Sequence, residues 1–132
     1  MEKVIEIDGK AVVFRKTGAT MVAYKRQTGR EFYSDLSNFL NVVEKDENGE
    51  ILRDGNGNPK VKLENFTVDY MYDMLHIMAR AADKSIPADI VDWLDGFNDF
   101  PVVQIFIEIL PLLNNEMQIS RKNLSAAAVK MQ

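Results

Sequence analysis

Apolar positions come in two tightly spaced runs at the start of the chain. Val4, Ile5 and Ile7 fall among charged neighbours over Lys3 to Ile7, and Val12, Val13 and Phe14 mark a second run from Lys10 to Arg15. Asp8-Gly9 stands between them. Both residue types tolerate the positive φ of a two-residue turn, so the pattern predicts a β-hairpin. Beyond it the period lengthens. Thr17-Gly18-Ala19-Thr20 opens a helix that Met21, Tyr24 and Arg26 to Thr28 continue, and Gly29 supplies a C-terminal stop. Ser34 or Asp35 is expected to cap a second helix through Leu36, Phe39, Leu40 and Val43.

Residues Glu44 to Lys60 break the periodicity. Two turn-rich clusters, Lys45 to Gly49 and Asp54 to Pro59, are flanked by Ile51-Leu52 and Val61-Leu63. They read as a surface loop or a mobile second hairpin. Thr67 is expected to cap a third helix, running to about Asp83, with Tyr70, Met71, Met74, Leu75, Met78 and Ala82 at helical spacing. Ser85-Ile86-Pro87 starts a fourth, with Ile90, Val91 and Leu94 as its apolar side, Trp93 near its end and Gly96 as its stop. Asp99-Phe100-Pro101 starts a fifth, which Pro111 should kink or end. No internal repeat is evident. The fold class expected is α+β, mainly helical, with an N-terminal β-hairpin followed by about five helices. Residues 1–117 form one globular domain with the insert at 44–60, and 118–132 form a weakly structured or helical tail.

The fifth helix carries two apolar stripes. Val102, Ile105, Phe106, Ile109 and Leu113 make one; Val103, Ile107 and Leu110 make the other. A surface helix of a small domain normally shows one. Either the helix is central, or its second face meets another chain. Met71, Met74 and Met78 share one side of the third helix. Methionine fills irregular cores and also suits surfaces that accept varied partners, so core and interface readings both stand. The candidate protein-binding residues are therefore Met71, Met74, Met78, Val103, Ile107 and Leu110.

Composition narrows the chemistry. Among 132 residues there is no cysteine, which removes a disulfide framework, cysteine zinc sites and a thiol nucleophile. No signal-like or membrane-spanning stretch is seen, and the longest apolar run, Phe100 to Leu113, is interrupted by Gln104 and Glu108. These points fit a cytoplasmic protein. The lone histidine, His76, has no nucleophile or co-ligand in sequence, and a packing or surface role fits it better than catalysis. Asp54, Asn56 and Asn58 match the first ligand positions of a calcium loop, but Pro59 stands where a glycine is required and Asn65 where a bidentate Glu is required. Asp89, Asp92, Asp95 and Asp99 fit a solvated helix face better than an acid–base pair or metal site. No catalytic residue, cofactor or metal is expected.

Charge is uneven around a net of −4. Residues 1–30 carry seven Lys/Arg against three Asp/Glu, and 31–132 carry nine against seventeen. Arg15, Lys16, Lys25, Arg26 and Arg30 could meet phosphates, but no recognition-helix or aromatic-sheet signature accompanies them, which disfavours nucleic acid.

Several stretches resemble one family. Ile7-Asp8-Gly9-Lys10, Val13 to Thr20, Tyr24-Lys25-Arg26 and Gly29-Arg30-Glu31-Phe32 resemble the N-terminal part of phage tail assembly chaperones. Trp93-Leu94-Asp95-Gly96-Phe97 and Ile109-Leu110-Pro111-Leu112-Leu113 look like that family's C-terminal helical signature. The insert at 44–60 has no counterpart in the resemblance. What the resemblance implies is a non-catalytic protein of a long-tailed phage or prophage, working in the cytoplasm of the bacterial host. It would hold the tape-measure protein soluble until tail-tube subunits polymerise around it. Tail-tube protein and further copies of this chain are additional candidate partners, and no membrane is involved. Many such chaperones occur in two lengths through a ribosomal frameshift, and this chain resembles the shorter. A structural tail or head-completion protein is the alternative, and a small DNA-binding regulator ranks after it.

Overall fold

The computed structural model describes residues 1–64 and 66–113. It is an α+β fold: an antiparallel hairpin of β1 (Glu2–Ile7) and β2 (Lys10–Arg15), followed by five helices. The first four helices are α1 (Thr20–Thr28), α2 (Phe32–Val42), α3 (Asp69–Ala82) and α4 (Ile90–Leu94). The fifth, α5, is helical over 102–113. None of the described helices is long and apolar enough to cross a membrane.

The hairpin follows from its turn. Asp8 takes φ 52° and Gly9 φ 76°, the two positive values a type I′ turn requires. That register pairs Ile7 with Lys10 and Ile5 with Val12, so Ile5, Ile7, Val12 and Phe14 share the buried face. On the other face Val4 pairs with Val13, and Glu2 with Arg15, whose Nε donates to Glu2 Oε1 at 2.7 Å.

Thr17 and Thr20 lock the start of α1. The Thr17 N–H donates to Thr20 Oγ1 at 2.9 Å, and the Ala19 N–H to Thr17 Oγ1 at 3.1 Å. Gly29 ends the helix in the left-handed region at φ 74°, its N–H donating to Lys25 O. The second helix starts earlier than sequence suggests: Phe32 is its first residue and Glu31 occupies the cap position, not Ser34 or Asp35. Burial of Phe32, one turn before Leu36, draws those residues into the helix. Likewise Thr67 does not cap α3; Val68 holds that position without a side-chain bond. The fourth helix begins at Ile90 rather than Pro87, because the Asp89 side chain accepts the Val91 N–H at 3.0 Å. The last helix continues through Pro111 to 113 instead of ending there. Pro111 is exposed, so water can satisfy the Ile107 carbonyl that the missing N–H leaves over.

Helices α3 and α5 share the centre. Eight residues of α3 are buried, because β2, α1 and α4 all pack against it. From α5, Phe106 meets three aromatic rings edge-on: Phe39 at 5.0 Å, Tyr70 at 6.0 Å and Phe32 at 6.3 Å between centroids. Trp93 fills a second aromatic group with Phe97, Phe100 and His76. The core runs without a break from Ile5 to Leu113. Residues 118–132, expected to be a tail, lie outside the described residues.

The insert is the part that sequence reading resolves least. It contains two turns of the same design, eight residues apart. Asp46 Oδ1 accepts the N–H groups of Asn48 at 2.8 Å and Glu50 at 3.0 Å; Asp54 Oδ1 accepts those of Asn56 at 2.8 Å and Asn58 at 3.0 Å. Gly49 and Gly57 follow with φ 81° and 82°. The segments between the turns close a triangle of backbone bonds: Glu44 N–H to Lys60 O at 3.0 Å, Lys60 N–H to Leu52 O at 2.9 Å and Leu52 N–H to Glu44 O at 2.9 Å. This internal repeat gives a short polar segment its own hydrogen-bonding scaffold.

Candidate protein-binding face

The structure separates the six candidate binding residues. Met71, Met74 and Met78 are fully buried, and Leu110 is 7% exposed. Their expected role as a partner surface is corrected on this point: α3 is enclosed by β2, α1 and α4, and no methionine side remains free. Val103 and Ile107 differ. They are half-buried and pack against the edge of the core. The second stripe of α5 is therefore split, Leu110 lying inside and Val103 and Ile107 at the rim.

The insert joins that rim. Arg53 donates through Nη1 to Gly57 O at 3.0 Å and to Gln104 Oε1 at 3.1 Å, fastening the second turn to the first turn of α5. Between them lies a mainly apolar groove of about 300 Å³, lined by Pro59, Val61, Phe66, Pro101, Val102 and Val103 among others. A second depression, on the side of Val43, is lined by Leu40 and Leu52 with Lys45 and Lys62 around them. The Val43–Val61 bridge separates the two. Exposed leucines mark this region: Leu63 at 83%, Leu52 at 38% and Leu40 at 36%. An apolar centre with a polar and charged rim is the arrangement of a protein contact surface. The sequence reading missed it because Leu40, Leu52, Val61, Leu63 and Phe66 follow no shared period. Only the fold brings Val61 and Phe66 alongside α5, and Leu40 beside Leu52.

Several of the remaining polar candidates have structural partners. His76 Nε2–H donates to Pro87 O at 2.7 Å, and its ring lies 5.3 Å from that of Trp93. It fastens the α3–α4 connection. Arg30 donates to Asp35 Oδ2 at 3.1 Å, to the Tyr24 hydroxyl at 3.2 Å and to Asp73 Oδ2 at 3.0 Å, tying α2 to α3. Lys25 pairs with Glu31 at 3.0 Å. Burial pushes the Tyr24 hydroxyl far above the usual phenol range, with the Asp35 carboxylate as its acceptor adding to the shift. Asp89, Asp92, Asp95 and Asp99 are all exposed.

Comparison with known protein families, with curated proteins and with solved structures finds no match to this chain.

Proposed function

We propose that the chain is a non-catalytic phage tail assembly chaperone, which binds the tape-measure protein and keeps it soluble during tail formation. One observation carries the reading: Val103 of the half-buried α5 stripe lines an apolar groove with Pro59, Val61 and Phe66, and exposed leucines stand on and around the insert, Leu52 within it, Leu40 on α2 and Leu63 just beyond it. A long helical client exposes an apolar stripe of its own until tail-tube subunits cover it, and an apolar surface with adaptable edges can shield that stripe. The resemblance of the short stretches between Ile7 and Phe32, of Trp93 to Phe97 and of Ile109 to Leu113 to the chaperone family supports the same reading. The contact surface proposed is Leu40, Leu52, Val61, Leu63, Val103 and Ile107, in place of the buried methionines.

Co-expression tests it. The tape-measure protein encoded beside this chain should accumulate in soluble form only when this chain is present, and the two should elute together. A tape-measure protein equally soluble alone, with no co-elution, would contradict the reading.

A further inference from the structure

We propose that the cavity between α1 and α3 is a binding site for a single oxyanion group, a carboxylate or a phosphate. The cavity holds about 260 Å³, and its lining includes Arg15, Arg80 and Lys84 with no acidic side chain. The three cations come from different places: the end of β2, the last turn of α3 and the residue beyond its cap. They converge in a chain whose net charge is −4.

Their bonding states differ. Arg15 is committed to Glu2 and to the Ala81 carbonyl at 3.2 Å, which also quenches part of the negative end of α3. Arg80 spends only its Nε, donating to Ile86 O at 3.2 Å. That bond fixes the guanidinium while both terminal nitrogens have no partner among the described residues. Lys84 likewise has no partner among them. The start of α1 adds to the field. Thr17, Ala19 and Thr20 line the cavity with their N–H groups bonded within the turn, while the N–H groups of Gly18, Met21 and Val22, outside the lining, have no partner among the described residues and contribute the positive end of α1.

The chemistry of the ligand follows. A guanidinium held by Nε presents two parallel N–H donors, which match two oxygens of one carboxylate or phosphate. An ammonium and helix amides favour negative charge and accept any oxygen geometry. The cavity is smaller than the roughly 300–1,000 Å³ of sites for drug-sized ligands, so it suits one charged group rather than a whole cofactor.

The test is a titration of isotope-labelled protein followed by NMR, once with sodium phosphate and once with N-acetylglutamate, at ionic strength held constant with chloride. The expected result is saturable shifts at the Gly18, Ala19 and Thr20 amides and at Arg80 Nε. Lys84→Gln makes no bond in the structure to lose, so it should keep the thermal midpoint and weaken binding about ten-fold. Arg80→Lys keeps the charge, loses the paired donors and should weaken it similarly. Saturation by phosphate alone identifies a phosphoryl ligand, and saturation by N-acetylglutamate alone a side-chain carboxylate; either supports the site. Shifts that never saturate, or a Lys84→Gln variant that binds as the wild type does, overturn it.

Discussion

Arg53, in the second turn of the insert, donates to Gln104 in the first turn of α5 across 3.1 Å. This contact joins a segment with no regular secondary structure to a central helix, beside the groove that Val103 lines. Both partners are exposed or half-exposed, so the bond itself contributes little to global stability. Arg53→Ala should therefore leave the thermal midpoint within about 2 °C while amide exchange at Leu52, Asp54 and Lys60 speeds up. A collapse of the whole fold on this change would assign the insert a larger role than its contacts allow.

Met74 is fully enclosed. Met74→Ala should cost about 2–5 kcal/mol in urea unfolding, as buried methionine truncations do. Met74→Asp should abolish the cooperative transition, because a carboxylate at that depth has no counter-charge. A Met74→Asp protein that stays folded would return the α3 methionines to the list of surface candidates.

The Tyr70 hydroxyl is buried with no well-formed hydrogen bond among the described residues, and Asn38 is the side chain close enough to influence it. Its ring keeps its edge contact with Phe106 without the hydroxyl. Tyr70→Phe should thus be neutral or stabilising by about 1 kcal/mol, since an unsatisfied buried polar group costs roughly 1–3 kcal/mol. A loss of more than that on chemical denaturation would reveal a bond that the geometry lacks.

Alkaline titration should expose the buried tyrosines. Burial raises Tyr70 to about 12, with the negative charge of Asp35 adding to it, and raises Tyr24 further. Both folded values lie above the unfolded value near 10. The neutral phenols therefore favour the folded state fully below about pH 10, and that contribution is lost as pH rises through the folded values. Unfolding free energy should fall steeply above about pH 10, and phenolate absorbance should appear together with unfolding. Ionisation of all four tyrosines near pH 10 in the folded protein would contradict this.

Much of the fold was legible because local rules and burial agree. Asp8-Gly9 demanded the hairpin, Gly29 the end of α1, and the spacing of Leu36 and Phe39 the second helix. The misplaced starts at Ser34 and Pro87 have different causes: a cap contributes only about 1 kcal/mol, which burial of Phe32 overrides, and the cap bond from Asp89 outweighs the first-turn preference of Pro87. Nothing in the structure explains why Thr67 does not cap α3. Pro111 does not end the helix, because a helix held by core contacts on both sides of an exposed proline tolerates one lost bond. The insert repeat was in fact written in the sequence, since Lys45 to Glu50 and Arg53 to Asn58 share Asp, Asn and Gly at the same positions, but a repeat of six residues carries no hydrophobic period to draw notice. The methionine stripe was visible, but periodicity alone cannot tell a side facing the core from one facing a partner.

The most direct measurement is co-elution of the tape-measure protein with wild type, Leu63→Asp and Val103→Asp, each checked for thermal stability. Leu63 is 83% exposed and Val103 is at the rim of the core, so both variants should remain folded. The account predicts that wild type carries the tape-measure protein through purification, and that each folded variant loses most of it. Undiminished co-elution with both variants, or none with wild type, would contradict a client-binding face formed by the insert and α5.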